Sequence, residues 1–251
     1  MSADFGLAAS APPISAGSAA ARGRSNDRRF FTGMAIAAAV TVFIGFAPTY
    51  YLRGVFGAAP LTTLVHVHGA VATAWILLFL TQTSLIAAGR TDLHRRLGVV
   101  GAVLAPLLLV VGYLTAIESA RLGHTPPGGP PPLAFLAVPI GTLLVFAILV
   151  GAGLAQRRRS ETHKRLMLLA TIAIVTPAIA RLRWMGLGGP PVAIGGTCLF
   201  VLACLVYDRV AHGRVHAAFL WGGLFVMAAL PLRFALGRTD AWLSVARWLT
   251  E

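Results

Sequence analysis

The chain has 251 residues, of which 57% are hydrophobic and only 12% are charged, and its formal net charge is +13. Soluble domains carry about a quarter of their residues as charged side chains, so this composition excludes a soluble globular protein. In a membrane protein the positive charge is explained by short cytoplasmic loops, which collect arginine and lysine. We therefore expect the lipid bilayer as a partner, and no nucleic acid.

Seven apolar stretches are long enough to cross a bilayer as helices, because a hydrocarbon core of about 30 Å needs about 20 residues. They lie near residues 30–52, 62–88, 99–119, 133–155, 166–186, 192–208 and 217–237. Long continuous apolar runs are unlike the short alternating strands of a membrane β-barrel. The sequence thus predicts an all-α bundle of seven transmembrane helices over residues 30–237. A disordered basic tail (1–29) precedes it, and an interfacial amphipathic segment (238–251) follows it.

The segments that flank and connect these spans alternate between strongly basic and weakly basic. The N-terminal tail and the loops after spans 2, 4 and 6 hold 14 of the 21 arginines and lysines. Since cytoplasmic loops are enriched in these residues, we expect a cytoplasmic N-terminus and a C-terminus on the outside.

The loops on the predicted cytoplasmic side contain a repeat. It reads Asp-Leu-His-Arg-Arg-Leu at 92–97 and Glu-Thr-His-Lys-Arg-Leu at 161–166. Asp92 and Glu161 would complement the positive ends of helix dipoles while the cations stay at the headgroups, so anchoring alone explains the repeat. The alternative is a cluster of His94, His163 and His216 that binds haem, a metal ion or protons.

Ionisable residues also fall inside the outer half of the predicted bilayer. At 1.5 Å per residue, His66 and His68 lie roughly 7–10 Å below the outer surface, and Arg181 and Arg233 fall at a similar depth. Intramembrane charges usually face the bundle interior or a cavity, although long side chains also snorkel to the surface. Because residues two apart on a helix point about 200° apart, only one of the two histidines can face inward.

These residues predict an outward-opening ligand pocket. We expect one of the two histidines, Arg181 and Arg233 to line it, with Glu118 as a counter-ion and Tyr50 as a hydrogen-bonding wall. Such a pocket suits an anionic or quinone-like head group. Interfacial placement of Glu118 and an aromatic-belt position for Tyr50 are the alternatives.

Several other chemistries are disfavoured. The sequence has no zinc-binding or phosphate-binding loop motif. Its single lysine, Lys164, lies in a predicted cytoplasmic loop, whereas retinal needs a lysine in the last span. Cys198 and Cys204 share one span and imply neither a disulfide nor a metal site.

Four strings in the sequence resemble those of an uncharacterised family of bacterial polytopic membrane proteins. They are Pro48-Thr49-Tyr50-Tyr51-Leu52, His66-Val67-His68-Gly69, Leu93-His94-Arg95-Arg96-Leu97-Gly98 and His163-Lys164-Arg165-Leu166-Met167. The resemblance covers most of residues 30–240. It implies a multi-pass protein of the bacterial plasma (inner) membrane, and it transfers no activity.

In its general layout the chain also resembles cytochrome b561-type proteins, which hold two haems between histidines on neighbouring helices. This resemblance implies haem b as a cofactor. The available ligands are His68, His94, His163 and His216, with Met185 or His124 as a second ligand on the outer side.

The sequence is compatible with two functions and does not decide between them. One is a redox or redox-assembly protein that binds haem or quinone through histidines. The other is a non-enzymatic carrier, receptor or scaffold that binds a small organic anion. The sequence decides neither enzymatic activity nor oligomeric state.

Overall fold

The computed structural model describes residues 16–126 and 129–251, and this part of the chain contains helices and no strands. The helices are α1 (Ala16–Phe46), α2 (Thr63–Ala87), α3 (Thr91–Arg121), α4 (Pro132–Phe135), α5 (Ala137–Ala155), α6 (Ser160–Ala180), α7 (Gly189–His212), α8 (Ala217–Leu236) and α9 (Asp240–Thr250). A π-helical turn (Ala47–Tyr51) continues α1, and a 3-10 turn (Leu182–Met185) follows α6.

Seven segments of the described chain are long and apolar enough to span a membrane. They are formed by α1, α2, α3, α4 with α5, α6, α7 and α8. For the described residues, the prediction of an all-helical fold with seven helices long and apolar enough to span a membrane is thereby confirmed. An apolar run of about 20 residues was enough to predict each helix, because a helix forms its backbone hydrogen bonds within the segment itself.

Three helices, α1, α3 and α6, begin six or more residues before the apolar stretches that predicted them. In α3 and α6 the repeated boxes form the first turn, where Asp92 and Glu161 lie near backbone N–H groups that have no helical partner. Helix α1 begins at Ala16, and its candidate spanning segment begins at Ser25. Residues 16–29, which the sequence assigned to a tail, are therefore helical, whereas residues 1–15 lie outside the described part.

The bundle has two ends with different charge. We call the end that carries the start of α1 and the α2–α3, α5–α6 and α7–α8 loops the basic end, and the other the opposite end. Contacts from Asp27 of α1 to Lys164 of α6 and His212 of α7 close the basic end. At the opposite end, the Trp184 indole N–H donates to the Ile44 carbonyl at 3.1 Å.

Helix α6 lies at the centre of the bundle and packs against α1, α5, α7 and α8. Its most deeply buried apolar side chains are Leu168, Leu169, Ala170, Ile172, Val175 and Ala178. The buried Trp75 of α2 donates its indole N–H to Thr171 of α6 at 3.3 Å and packs edge-on against Phe146 of α5 at 4.9 Å. This contact fixes the register of α2 and α5 on α6.

The C-terminal helix α9 packs across the opposite end. Ala246 is fully buried in a small cluster with Ala116 and Ile117 of α3, and the Trp242 indole N–H donates to the Leu133 carbonyl at 2.9 Å. The amphipathic segment predicted at residues 238–251 thus contains a helix, and this helix packs against the bundle.

Candidate functional site

Two histidines of the repeated boxes lie side by side at the basic end. His94 and His163 are each the fourth residue of their helices, α3 and α6. Their ring centroids are 6.4 Å apart, and the ring planes are 78° from parallel. The first turns of two helices therefore present one imidazole pair.

One nitrogen of each ring in this pair is already held by the protein. The Nδ1 of His163 is 2.8 Å from the Gly153 carbonyl, so Nδ1 donates this hydrogen bond. The Gln82 side-chain amide, oriented by the Gly98 N–H at 3.0 Å, lies 2.5 Å from Nδ1 of His94. Nε2 has no hydrogen-bond partner on either ring within the described residues, and on His94, whose Nδ1 accepts from the Gln82 amide, Nε2 carries the ring proton.

His216 does not join this pair. It caps the N-terminus of α8, where its Nδ1 accepts from the Ala218 N–H at 3.1 Å. Its own backbone N–H donates to Asp208 at 2.9 Å. Burial, followed by the positive charge of Arg165, lowers the pKa of His216 below its usual value. A neutral ring is the form that can accept a hydrogen bond from a backbone N–H.

A buried ion pair lies next to this helix cap. The Arg165 guanidinium contacts the Asp208 carboxylate at 2.6–3.2 Å through Nε and Nη2, and the two side chains are 3% and 0% exposed. Nη1 of Arg165 donates to Glu161 at 2.6 Å, and the guanidinium also lies 5.3 Å from the centroid of the Phe219 ring. Each partner is thus held by several charge-assisted hydrogen bonds.

Asp27 of α1 extends this arrangement to a third helix. Its carboxylate accepts from Lys164 at 2.5 Å and from the Tyr207 hydroxyl at 2.6 Å, and it lies 3.2 Å from His212. Phe30 stacks on the Tyr207 ring at 3.8 Å. The basic-end network comprises Asp27, Glu161, Lys164, Arg165, Tyr207, Asp208, His212 and His216.

Sequence reasoning missed the two acidic centres of this network. Asp208 lies at the end of an apolar run, and Asp27 lies among arginines. An acidic residue inside an otherwise apolar span is costly unless it is paired, and this was the available signal for Asp208. Asp92, by contrast, is mostly exposed and makes a long ion-pair contact of 3.9 Å with the exposed Arg90. This exposure fits anchoring at the lipid headgroups.

In the outer set, the two histidines of α2 face in different directions. His66 is exposed, and its carbonyl accepts from the Tyr50 hydroxyl at 3.1 Å. His68 faces inward, with Cε1 against Gly112 of α3 and a buried Nδ1 that has no hydrogen-bond partner. The Tyr50 ring occupies the space where Gly69 has no side chain, so Tyr50 packs against α2.

Arg181 follows the last residue of α6 at the opposite end. Its Nη1 donates to the Pro177 carbonyl at 3.1 Å, and its guanidinium lies 4.6 Å from the centroid of the Phe46 ring. A cation at a helix C-terminus is favoured by the helix dipole.

Arg233 of α8 is buried, with 5% of its surface exposed, and its side chain crosses α5. Its Cγ and Cδ fill the space where Gly141 has no side chain. Nε donates to the Ala229 carbonyl at 2.8 Å, and Nη1 donates to Thr142 and to the Val138 carbonyl. Nη2 is buried without a partner.

Glu118 lies apart from these arginines. It accepts from the Thr62 hydroxyl at 2.9 Å, and with Arg121 and Leu249 it lines a groove of about 450 Å³ between α2, α3 and α9. Within the described residues it forms no ion pair with Arg181 or Arg233. The predicted pocket residues are therefore distributed over several places in the described structure.

The described residues include no group of three or more histidine, cysteine, aspartate or glutamate side chains placed to hold a metal ion. Comparison of the chain with protein-family models, curated proteins and solved structures found no match. The two resemblances seen in the sequence motifs therefore stay predictions.

Proposed function

We propose that this protein is a membrane-embedded redox protein that binds haem b between His94 and His163 at the basic end. The observation that supports this most is the 6.4 Å spacing of the two rings, each with its Nδ1 held by another part of the chain. Two histidines suffice for haem, because the porphyrin supplies the other iron ligands.

The spacing suits two histidines that would together hold one haem iron. An imidazole nitrogen lies about 2 Å from the transition metal it binds, which puts the centroids of two such rings roughly 6 Å apart. A metal-bound histidine usually donates its other N–H to a carbonyl or carboxylate, which orients the ring and raises its basicity. The Gly153 carbonyl does this for His163, whereas at His94 the Gln82 amide N–H donates to Nδ1 and orients the ring from the opposite side of the hydrogen bond.

Charge near the pair also suits this cofactor. Arg95 and Arg96 directly follow His94 and are exposed, so they are available to the propionate carboxylates of haem b. Bound haem would supply one-electron transfer, and His94 and His163 would hold it in a fixed orientation.

The experiment is an absorption spectrum of protein purified in detergent from haem-replete cells. We expect a Soret band in the wild-type protein, and its loss in His94→Ala and in His163→Ala, because either change removes an axial ligand. His66→Ala, which changes an exposed ring at the opposite end, is the control and should keep the band. A wild-type protein without a Soret band, or either variant with an unchanged spectrum, would contradict the proposal.

We also propose that the basic end faces the cytoplasm of a bacterium and that the protein resides in the plasma membrane. The support is the excess of arginine and lysine in the tail and in the loops at this end. It follows that α9 lies on the outer side.

Orientation can be measured with alkaline phosphatase fusions, since that enzyme is active only where its disulfides form, outside the cytoplasm. A fusion after Glu251 should be active, and a fusion after Gln156, in the α5–α6 loop, should be inactive. The reverse pattern would show the opposite orientation.

A further inference from the structure

Two side chains of opposite charge lie one turn apart at the end of α3 and do not pair with each other. Glu118 and Arg121 are three residues apart, a spacing at which side chains on a helix can meet. Instead, Glu118 accepts from the Thr62 hydroxyl at the N-cap of α2 at 2.9 Å, and Nε of Arg121 donates to the Thr250 carbonyl of α9 at 2.8 Å. Within the described residues neither charge forms an ion pair, so each is still available to a group of opposite sign.

Both charges line the groove of about 450 Å³ between α2, α3 and α9, together with apolar side chains. Arg121 is the last residue of α3, whereas the exposed Tyr113 and Leu114 lie eight and seven residues earlier, about 10–12 Å along the helix axis. Leu64 of α2 and Leu249 of α9 add apolar walls. From the end of α3 inward, the groove is therefore first charged and then apolar.

A phospholipid presents its chemistry in the same order as this groove. The candidate spanning segment formed by α3 ends at Arg121, which puts the two charges at the level of the headgroups and Tyr113 and Leu114 at the level of the acyl chains. A small soluble ligand would meet the charges and leave the apolar part of the groove unfilled. The groove thus favours a lipid.

The two charges select the headgroup of this lipid. A carboxylate only accepts hydrogen bonds and a guanidinium only donates them, so Glu118 needs a cationic donor and Arg121 needs an anionic acceptor. A primary ammonium and a phosphate in one headgroup supply both, through charge-assisted hydrogen bonds. A quaternary ammonium has no N–H to donate, and a headgroup whose only charge is the phosphate leaves Glu118 unpaired.

We propose that the groove between α2, α3 and α9 is a binding site for phosphatidylethanolamine. Its ammonium contacts Glu118, its phosphate contacts Arg121, and an acyl chain lies along the apolar wall of α3. The net charge of this headgroup is zero, as is that of the Glu118 and Arg121 pair. The site is at the opposite end from His94 and His163, so the proposal does not depend on haem binding.

The test is thermal unfolding of delipidated protein in a neutral detergent with phosphatidylethanolamine, phosphatidylcholine or phosphatidylglycerol of the same acyl chains. With phosphatidylethanolamine at about ten times its dissociation constant, we expect the midpoint to rise by about 3–6 °C. The other two lipids should bind about tenfold more weakly, because each leaves Glu118 without a donor. Soluble glycerophosphoethanolamine at the same concentration should give no shift, since it has no acyl chains.

Glu118→Gln and Arg121→Gln test the two charges separately. Glutamine still offers an amide oxygen to the Thr62 hydroxyl, so Glu118→Gln should keep the midpoint without lipid and lose the preference for phosphatidylethanolamine over phosphatidylglycerol. Arg121→Gln should weaken the binding of all three lipids, because each carries a phosphate. Arg238→Gln, which changes an exposed arginine at the same end of the bundle but outside the groove, is the control and should behave as wild type.

Four results would overturn the proposal. They are equal shifts with phosphatidylethanolamine and phosphatidylcholine, an equal shift with the soluble headgroup analogue, a headgroup preference that survives Glu118→Gln, and lipid affinities that are unchanged in Arg121→Gln. The two variants alter charges of opposite sign at separate positions, so a folding defect in one leaves the other to decide the result.

Discussion

Replacing Asp208 by alanine is expected to lower the free energy of unfolding by about 3–5 kcal/mol, the range measured when one partner of a buried ion pair is removed. Arg165 would keep its charge while only 3% of its side chain is exposed, and the exposed Glu161 would be its remaining acidic partner. The His216 backbone N–H would lose its acceptor as well. Chemical denaturation of the purified protein in mixed micelles measures this loss.

Two further variants separate the ion pair from a general effect of acidic residues. Asp92→Ala removes a mostly exposed carboxylate in the first turn of α3, also at the basic end, and it should change stability by at most about 0.5 kcal/mol. Arg165→Met combined with Asp208→Leu removes both charges, and it should recover much of the loss. A change below about 1 kcal/mol in Asp208→Ala would show that water or lipid headgroups reach the Arg165 side chain.

The sequence predicted the elements of this fold because the membrane imposes a simple length rule. Each span needs about 20 apolar residues, and all seven stretches correspond to such helices. The boxes at 92–97 and 161–166 also indicated helix starts, because acidic residues favour the first turn. Both signals depend on residues that are neighbours in sequence.

The contacts between helices were not predictable in the same way. Charge patterns give the depth of a residue in the bilayer, but they give neither the direction in which it points nor the neighbouring helix. The sequence grouped His216 with His94 and His163, whereas His216 binds Asp208. It placed Asp27 in a tail, whereas Asp27 joins α1 to α6 and α7.

The close packing of α1 on α6 predicts the second large loss of stability, at Gly45. A Cβ on Gly45 would lie 2.2 Å from the Ala178 carbonyl oxygen, 2.7 Å from its carbon and 2.9 Å from Cα. These are backbone atoms of the central helix and cannot move aside as a flexible side chain does. Small residues permit such close approach between membrane helices, so Gly45→Ala must separate α1 from α6.

We expect Gly45→Ala to lower the free energy of unfolding by about 3 kcal/mol, at the upper end of the range for overpacking. Gly33→Ala is the matched control, because it lies on the same helix and a Cβ there has no neighbour within 4 Å. Both variants gain the same intrinsic helix propensity, so their difference isolates the contact. Equal stability of the two in the same denaturation assay would mean that α1 does not pack against α6 at Ala178. Unfolding that is markedly easier in Gly45→Ala alone would locate the close contact that fixes α1, and with it Asp27, against the central helix.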